Sequence, residues 1–177
     1  METIGYEQEV VFPIKAIIRD PDQNLELRGN LSYLTCEKVC IPYQAKLIFD
    51  LPSQEKVIRN AQNQDLISRY LKKIPDDGNT SKITIEHVDP ILPFSKISKN
   101  VRKGFINVIA KSTLPFLRPD VFVEGPSSIY FGLPQTNINV DKSGVTFRIP
   151  VTEEYEAQLT KTTLRVTVTD VGRATER

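Results

Sequence analysis

The stretch "LELRGNLSYLTCEKVCIPYQAKLIFDL", residues 25–51, decides how this chain reads. Leu25, Leu27, Gly29, Leu31 and Tyr33 fall at every second position, and so do Tyr43, Ala45, Leu47 and Phe49. A period of two puts each set on one face of a β-strand. Cys36 and Cys40, the two cysteines of the chain, stand between the two runs. The simplest local structure is a hairpin-like return with the cysteines at its neck.

The same signals recur on either side. Upstream, "EVVFPIKAIIR" (9–19) reads as a strand whose Pro13 cannot donate to a ladder, which places it at an edge or a bulge. "DPDQN" (20–24) is a turn cluster. Downstream, Val57, Ile58, Ala61, Leu66, Ile67, Tyr70, Leu71 and Ile74 fall at helical spacing. Ser53 after Pro52 is the expected N-cap, and "PDDGN" (75–79) is the stop. Strand patterns then return at 82–88, 104–112, 120–125, 128–133, 137–140, 144–152 and 162–170, separated by turn signals such as "DKSG" (141–144). Many short strands with one helix predict an all-β antiparallel sandwich. Three strands before the helix are too few to close a sandwich. They either join the later sheet or belong to a domain whose other strands lie elsewhere.

Composition narrows the function. A chain of 177 residues holds one large or two small domains, and 40% hydrophobic with 25% charged residues is ordinary for a globular protein. A net charge of +1 argues against nucleic acid as a partner, which needs clustered Lys and Arg. The densest basic group, "KISKNVRKG" (96–104), reads as a solvated loop. No apolar run approaches the ~18–20 residues of a membrane span. The opening "METIGYEQEV" has neither the basic nor the apolar region of a signal peptide, which taken alone predicts a cytoplasmic protein.

The chemistry centres on the cysteines. Zinc wants four ligands, and Cys36, Cys40 and His87, the single histidine, do not supply them. Cys–His catalysis would rest on His87 alone, which reads better as a surface or interface residue. Glu124 in "FVEGP" is a lone carboxylate. A disulfide remains. Along one strand, residues four apart are separated by about 13 Å, beyond the ~7 Å that a disulfide spans, so bridging requires the chain to turn through Glu37, Lys38 and Val39. So short a loop removes less denatured-state entropy than the ~3 kcal/mol of a 15-residue loop. Tight disulfides of this kind are the more reducible ones. Lys38 favours a thiolate, Glu37 offsets it, and Pro42 stiffens the exit from the loop. On chemistry alone a redox pair, a structural disulfide and two free thiols all stay open.

A longer string bears on that choice. "GYEQEVVFPI", followed by "LRGNLSYLTCEKVCIPYQAKLIFDLP", resembles the N-terminal periplasmic region of DsbD-type thiol:disulfide interchange proteins, nearest the ScsB-like, copper-sensitivity-suppressor branch. Tyr33, Cys36, Cys40, Ile41 and Pro42 fill that branch's pattern, and "RPDVFVEGP", "YFGLP", "VTFRIPV" and "LRVTVTDVGRATE" extend the likeness.

The resemblance implies immunoglobulin-like domains and a periplasmic location. It implies a Cys36–Cys40 pair that is reduced by a membrane-embedded domain and in turn reduces thioredoxin-fold partners. In that scheme Cys40 forms the mixed disulfide, Cys36 resolves it and Tyr33 packs beside them; no organic cofactor or metal is needed. Residues 1–52 are then the C-terminal part of a redox domain, 53–79 a helical connector, and 80–177 a second immunoglobulin-like sandwich. The alternative is an interaction module with a structural disulfide. Open strand edges at the N-terminal side further predict pairing with a second copy of the chain.

Overall fold

The computed structural model describes residues 5–6, 9–20, 23–51, 60–154, 159 and 162–177. The chain divides into two compact units, residues 1–70 and 71–177.

In the first unit, strands β1 (Leu25–Cys36) and β2 (Cys40–Leu51) form a two-stranded antiparallel sheet. Leu25 lies opposite Leu51, Tyr33 opposite Tyr43, and Cys36 opposite Cys40. Directly opposed residues share a face, so the register sorts the side chains cleanly. One face carries Leu25, Leu27, Gly29, Leu31 and Tyr33 against Leu51, Phe49, Leu47, Ala45 and Tyr43. The other carries Glu26, Arg28, Asn30 and Ser32 against Asp50, Ile48, Lys46 and Gln44.

The strand expected over 9–19 has no ladder in the structure. Its apolar residues are solvated instead, with Ile14 89% and Ile17 83% exposed. Pro13 withholds one donor from any pairing, and no edge among the described residues recruits the rest.

Helix α1 (Ala61–Leu71) follows. The expected N-cap, Ser53, lies outside the described residues. Asn60 caps the helix observed, its side-chain oxygen accepting from the Asn63 amide at 3.1 Å. The Tyr70 hydroxyl donates to the Glu9 carboxylate at 3.0 Å, tying the helix to the segment before β1. That bond, followed by slight burial and the carboxylate's charge, holds the phenol above its usual range.

The second unit is an antiparallel sandwich of the immunoglobulin-like kind. Its strands are β3 (Ile83–Ser98), β4 (Val101–Ser112), β5 (Asp120–Glu124), β6 (Ile129–Phe131), β7 (Gln135–Ile138), β8 (Gly144–Glu154), β9 (Arg165–Asp170) and β10 (Arg173–Glu176). One sheet runs β3-β4-β8-β6, with β7 also paired to β8; the other runs β10-β9-β5. Among the described residues the core lies here: Ile83 and Ile85, Ile106 and Val108, the β8 row Val145, Phe147, Ile149 and Val151, and Val166 and Val168 belong to it. Strict alternation on β8 and β9 puts these rows on the inner faces, where two sheets pack about 10 Å apart.

Two elements depart from the sequence reading. Residues 96–104, expected to be a loop, form the end of β3 and the start of β4 around a turn at 99–100. The cations stay on the surface, but the backbone continues the ladder, Lys96 opposite Arg102. Gly104 is required there, because a Cβ would collide with the Phe94 ring lying across it. β10 was not anticipated; it is a four-residue strand rich in polar residues, held by pairing with β9. The turn read from "DKSG" is present, with Asp141 accepting from the Ser143 amide at 3.1 Å and Asn139 from the Gly144 amide at 2.9 Å.

Both inner rows end in a carboxylate. Glu153 continues the β8 row and is 4% exposed. It accepts from the Leu159 amide at 2.7 Å and faces the Arg102 guanidinium at 2.6 Å. Asp170 ends the β9 row at 2% exposure, accepting from the Leu117 and Arg118 amides and from Arg173. A buried charge is tolerated only when paired and hydrogen-bonded, and both are.

Candidate functional site at the hairpin tip

Cys36 and Cys40 form a disulfide with a Cα–Cα distance of 4.1 Å. They are the last opposed pair of the β1–β2 ladder, so the bond crosses the strands where backbones run closest. Glu37, Lys38 and Val39 close the turn, and the Glu37 amide donates to the Val39 carbonyl at 3.4 Å. Three-residue connections of this sort are common in hairpins. Both cysteines and all three loop residues are exposed. Attack on either sulfur therefore needs no opening of the fold.

The register assigns the neighbours. Leu34 and Pro42 are opposed one step down the ladder on the side of the disulfide. Pro42 thus shares the face of the bond, two residues after Cys40. Tyr33, expected beside the pair, lies on the opposite face, stacked on Tyr43 with ring centroids 5.5 Å apart. Lys38 sits at the outer end of the loop in solvent.

At the tip, Leu34, on the face of the disulfide, is 63% exposed, Val39 in the loop 73%, and Ile41, on the opposite face, 51%, so the tip is apolar on both faces. In the sequence these are the apolar residues two before Cys36 and immediately before and after Cys40. His87 lies in the second unit, on β3 opposite Ile109, and Glu124 pairs loosely with Arg165. No group of three or more His, Cys, Asp or Glu among the described residues is placed to hold a metal.

The comparisons with known proteins meet this geometry. Residues 1–52 match the family model of the thiol:disulfide interchange protein DsbD, N-terminal region. The N-terminal part of this chain is similar to the N-terminal region of that interchange protein. Residues 90–177 match a second model, a domain of unknown function, DUF8393. Among solved structures, the N-terminal periplasmic domain of ScsB from Proteus mirabilis matches with a TM-score of 0.59 and 20% identity. The match covers 85% of this chain and 55% of that one, so this chain spans about half of the ScsB domain it resembles in fold. No curated protein matches. The DsbD-type segment ends one residue past β2, so it contains the whole hairpin and its disulfide. The stretch that matches the interchange-protein model thus holds both cysteines, joined as a disulfide.

Proposed function

We propose that Cys36–Cys40 is a redox pair through which an extracytoplasmic, periplasmic reductase passes electrons. A membrane-embedded reductase domain delivers them, and thioredoxin-fold oxidoreductases receive them. The observation that carries this reading is the solvent-exposed cross-strand disulfide inside a DsbD-like segment, at a hairpin tip where Leu34, Val39 and Ile41 are also exposed.

In the reduced protein the Cys40 thiolate attacks a partner's disulfide. One partner sulfur joins Cys40 and the other leaves as a thiolate. The Cys36 thiolate then attacks the Cys40 sulfur, re-forming Cys36–Cys40 and releasing the second partner thiol. Two electrons leave the pair and two thiols appear on the partner. Lys38 favours the thiolate at the loop, Pro42 keeps the exit from the turn stiff, and Tyr33 braces the backbone from the far face. Neither metal nor organic cofactor enters the cycle. In the same reading, residues 1–52 are the C-terminal part of the redox domain, 53–79 a connector, and 80–177 a sandwich that positions it. The free edges of β1 and β2 leave room for a second copy.

The test is trapping. Cys36→Ala, incubated with an oxidised thioredoxin-fold protein, should accumulate a mixed disulfide through Cys40. Trapping only through Cys40→Ala would reverse the two roles. A reduction potential below about −300 mV would instead mark an inert staple and turn the domain into an interaction module.

A further inference from the structure

We infer that the tip of the β3–β4 hairpin, residues 95–103, is a docking point for an anionic lipid surface. Lys96, Lys99, Arg102 and Lys103 are all exposed there. Lys96 is directly opposed to Arg102 across the ladder. Like charges so placed oppose the pairing that carries them, so the arrangement needs a reason outside the hairpin's own stability. Arg102 reaches the buried Glu153 carboxylate at 2.6 Å, and Glu154, opposed to Val101, is a second acid in register with the tip. Lys96, Lys99 and Lys103 form no ion pair among the described residues. The tip therefore keeps an excess of positive charge in a chain whose net charge is only +1.

The geometry selects a plane of negative charge as the occupant. Opposed residues share a face, so Lys96 and Arg102 project from one side of the hairpin; Ser95 and Lys103, one step along, project from the other. Lys99 stands in the turn between the strands. A groove or a strand edge meets its partner from one side, whereas cations on both sides and at the turn suit an end-on approach to a surface. The register shifts between Lys96 and Ser98, which leaves Ile97 without an opposed residue, and it is 60% exposed. An apolar side chain set among cations gains by entering the headgroup–acyl boundary while the cations stay with the lipid phosphates. Binding of single-stranded nucleic acid calls instead for aromatic platforms beside the cations. Residues 95–103 contain no aromatic residue. Phe94, just before them, is folded over Gly104 and packed against the core.

The disulfide plays no part in this contact. The full chain should co-sediment with vesicles of phosphatidylcholine that contain about one-third phosphatidylglycerol, and stay in the supernatant with phosphatidylcholine alone. Each cation near an anionic surface is worth about a fivefold gain in partitioning, so the double variant Lys96→Gln, Lys99→Gln should bind about 25-fold more weakly. Ile97→Ser should lose on the order of tenfold while keeping the same dependence on salt. Raising salt from about 0.05 to about 0.5 M should weaken binding of the unmodified chain at least about tenfold. Lys142→Gln, in the turn before β8, removes one charge at the other end of that strand, roughly 30 Å or more from the tip. It should leave binding within about twofold. Amide-exchange protection of Phe147 and Val168 reports that each variant remains folded. Equal sedimentation with both kinds of vesicle, or none with either, overturns the inference. So does an Ile97→Ser protein that binds as tightly as the unmodified chain, or a Lys142→Gln loss as large as that of the double variant. Polyglutamate and a single-stranded oligonucleotide are the competing probes, and an affinity for either that equals that for the anionic vesicles assigns the tip to a protein or a nucleic acid instead.

Discussion

Single residues hold the second unit at points where its inner rows run out of hydrocarbon. Arg173 donates to the Ser81, Leu114 and Pro115 carbonyls, to the Ser112 hydroxyl at 2.7 Å and to Asp170 at 2.8 Å. Its removal leaves an unpaired buried carboxylate, so Arg173→Ala should cost about 3–5 kcal/mol in urea titrations of the full chain. A loss under about 1 kcal/mol would contradict this account. Asp76 is a second such point. It accepts from the Gly78 and Ser81 amides and the Ser81 hydroxyl. Partial burial pushes its pKa up, but these bonds outweigh it and hold the carboxyl well below the usual range. At Asp170 burial likewise opposes, and the bonds from Arg173 and the Arg118 and Leu117 amides prevail. Both pKa values are depressed by folding, so each carboxylate contributes stability that is full above the unfolded value of about 4 and is lost as pH falls below it. The thermal midpoint should be level from pH 7 to about 5 and drop steadily below about 4. Asp76→Asn should flatten that acid limb, and an unchanged slope in the variant would count against the assignment.

At the scale of elements, pattern and partner separate. β8 reads as a strand by itself because Val145, Phe147, Ile149 and Val151 alternate and a partner sheet exists to bury them. Residues 9–19 carry comparable β-type composition and form no strand, because a ladder needs a second edge as well as a propensity. β10 shows the converse: Arg173–Glu176 has weak strand character, yet its pairing with β9 and the Asp76–Thr175 bridge fix it. Helix α1 was visible from its period, but its cap was not, since Asn60 stands in a polar run where several residues qualify. Asn60→Ala should cost about 1 kcal/mol of helix stability, seen as faster amide exchange at Asn63 and Gln64. Exchange unaltered at both positions would assign the cap elsewhere.

Taken whole, the molecule keeps its core in one unit and its reactive bond in the other. Among the described residues, every core residue lies between Ile83 and Val168, while those of the first unit are little buried and the disulfide is exposed. A chain cut to residues 71–177 should therefore retain the dispersed amide spectrum and cooperative unfolding of a packed sandwich. A collapsed spectrum would show that the sandwich needs the residues before it.

The sequence by itself determined the period of each strand, the hairpin between Leu25 and Leu51, and the need for the chain to turn between Cys36 and Cys40. These are local consequences of backbone geometry: a two-residue repeat and the short reach of a disulfide leave little choice. The tertiary structure alone decided that residues 9–19 stay unpaired, that Lys96–Gly104 is part of a ladder, and that Tyr33 lies across the sheet from the bond it was expected to touch. Each of these depends on which edge or face a distant or opposed segment supplies. A one-residue change of register moves a side chain to the other side of a sheet, and only the paired strand fixes that register.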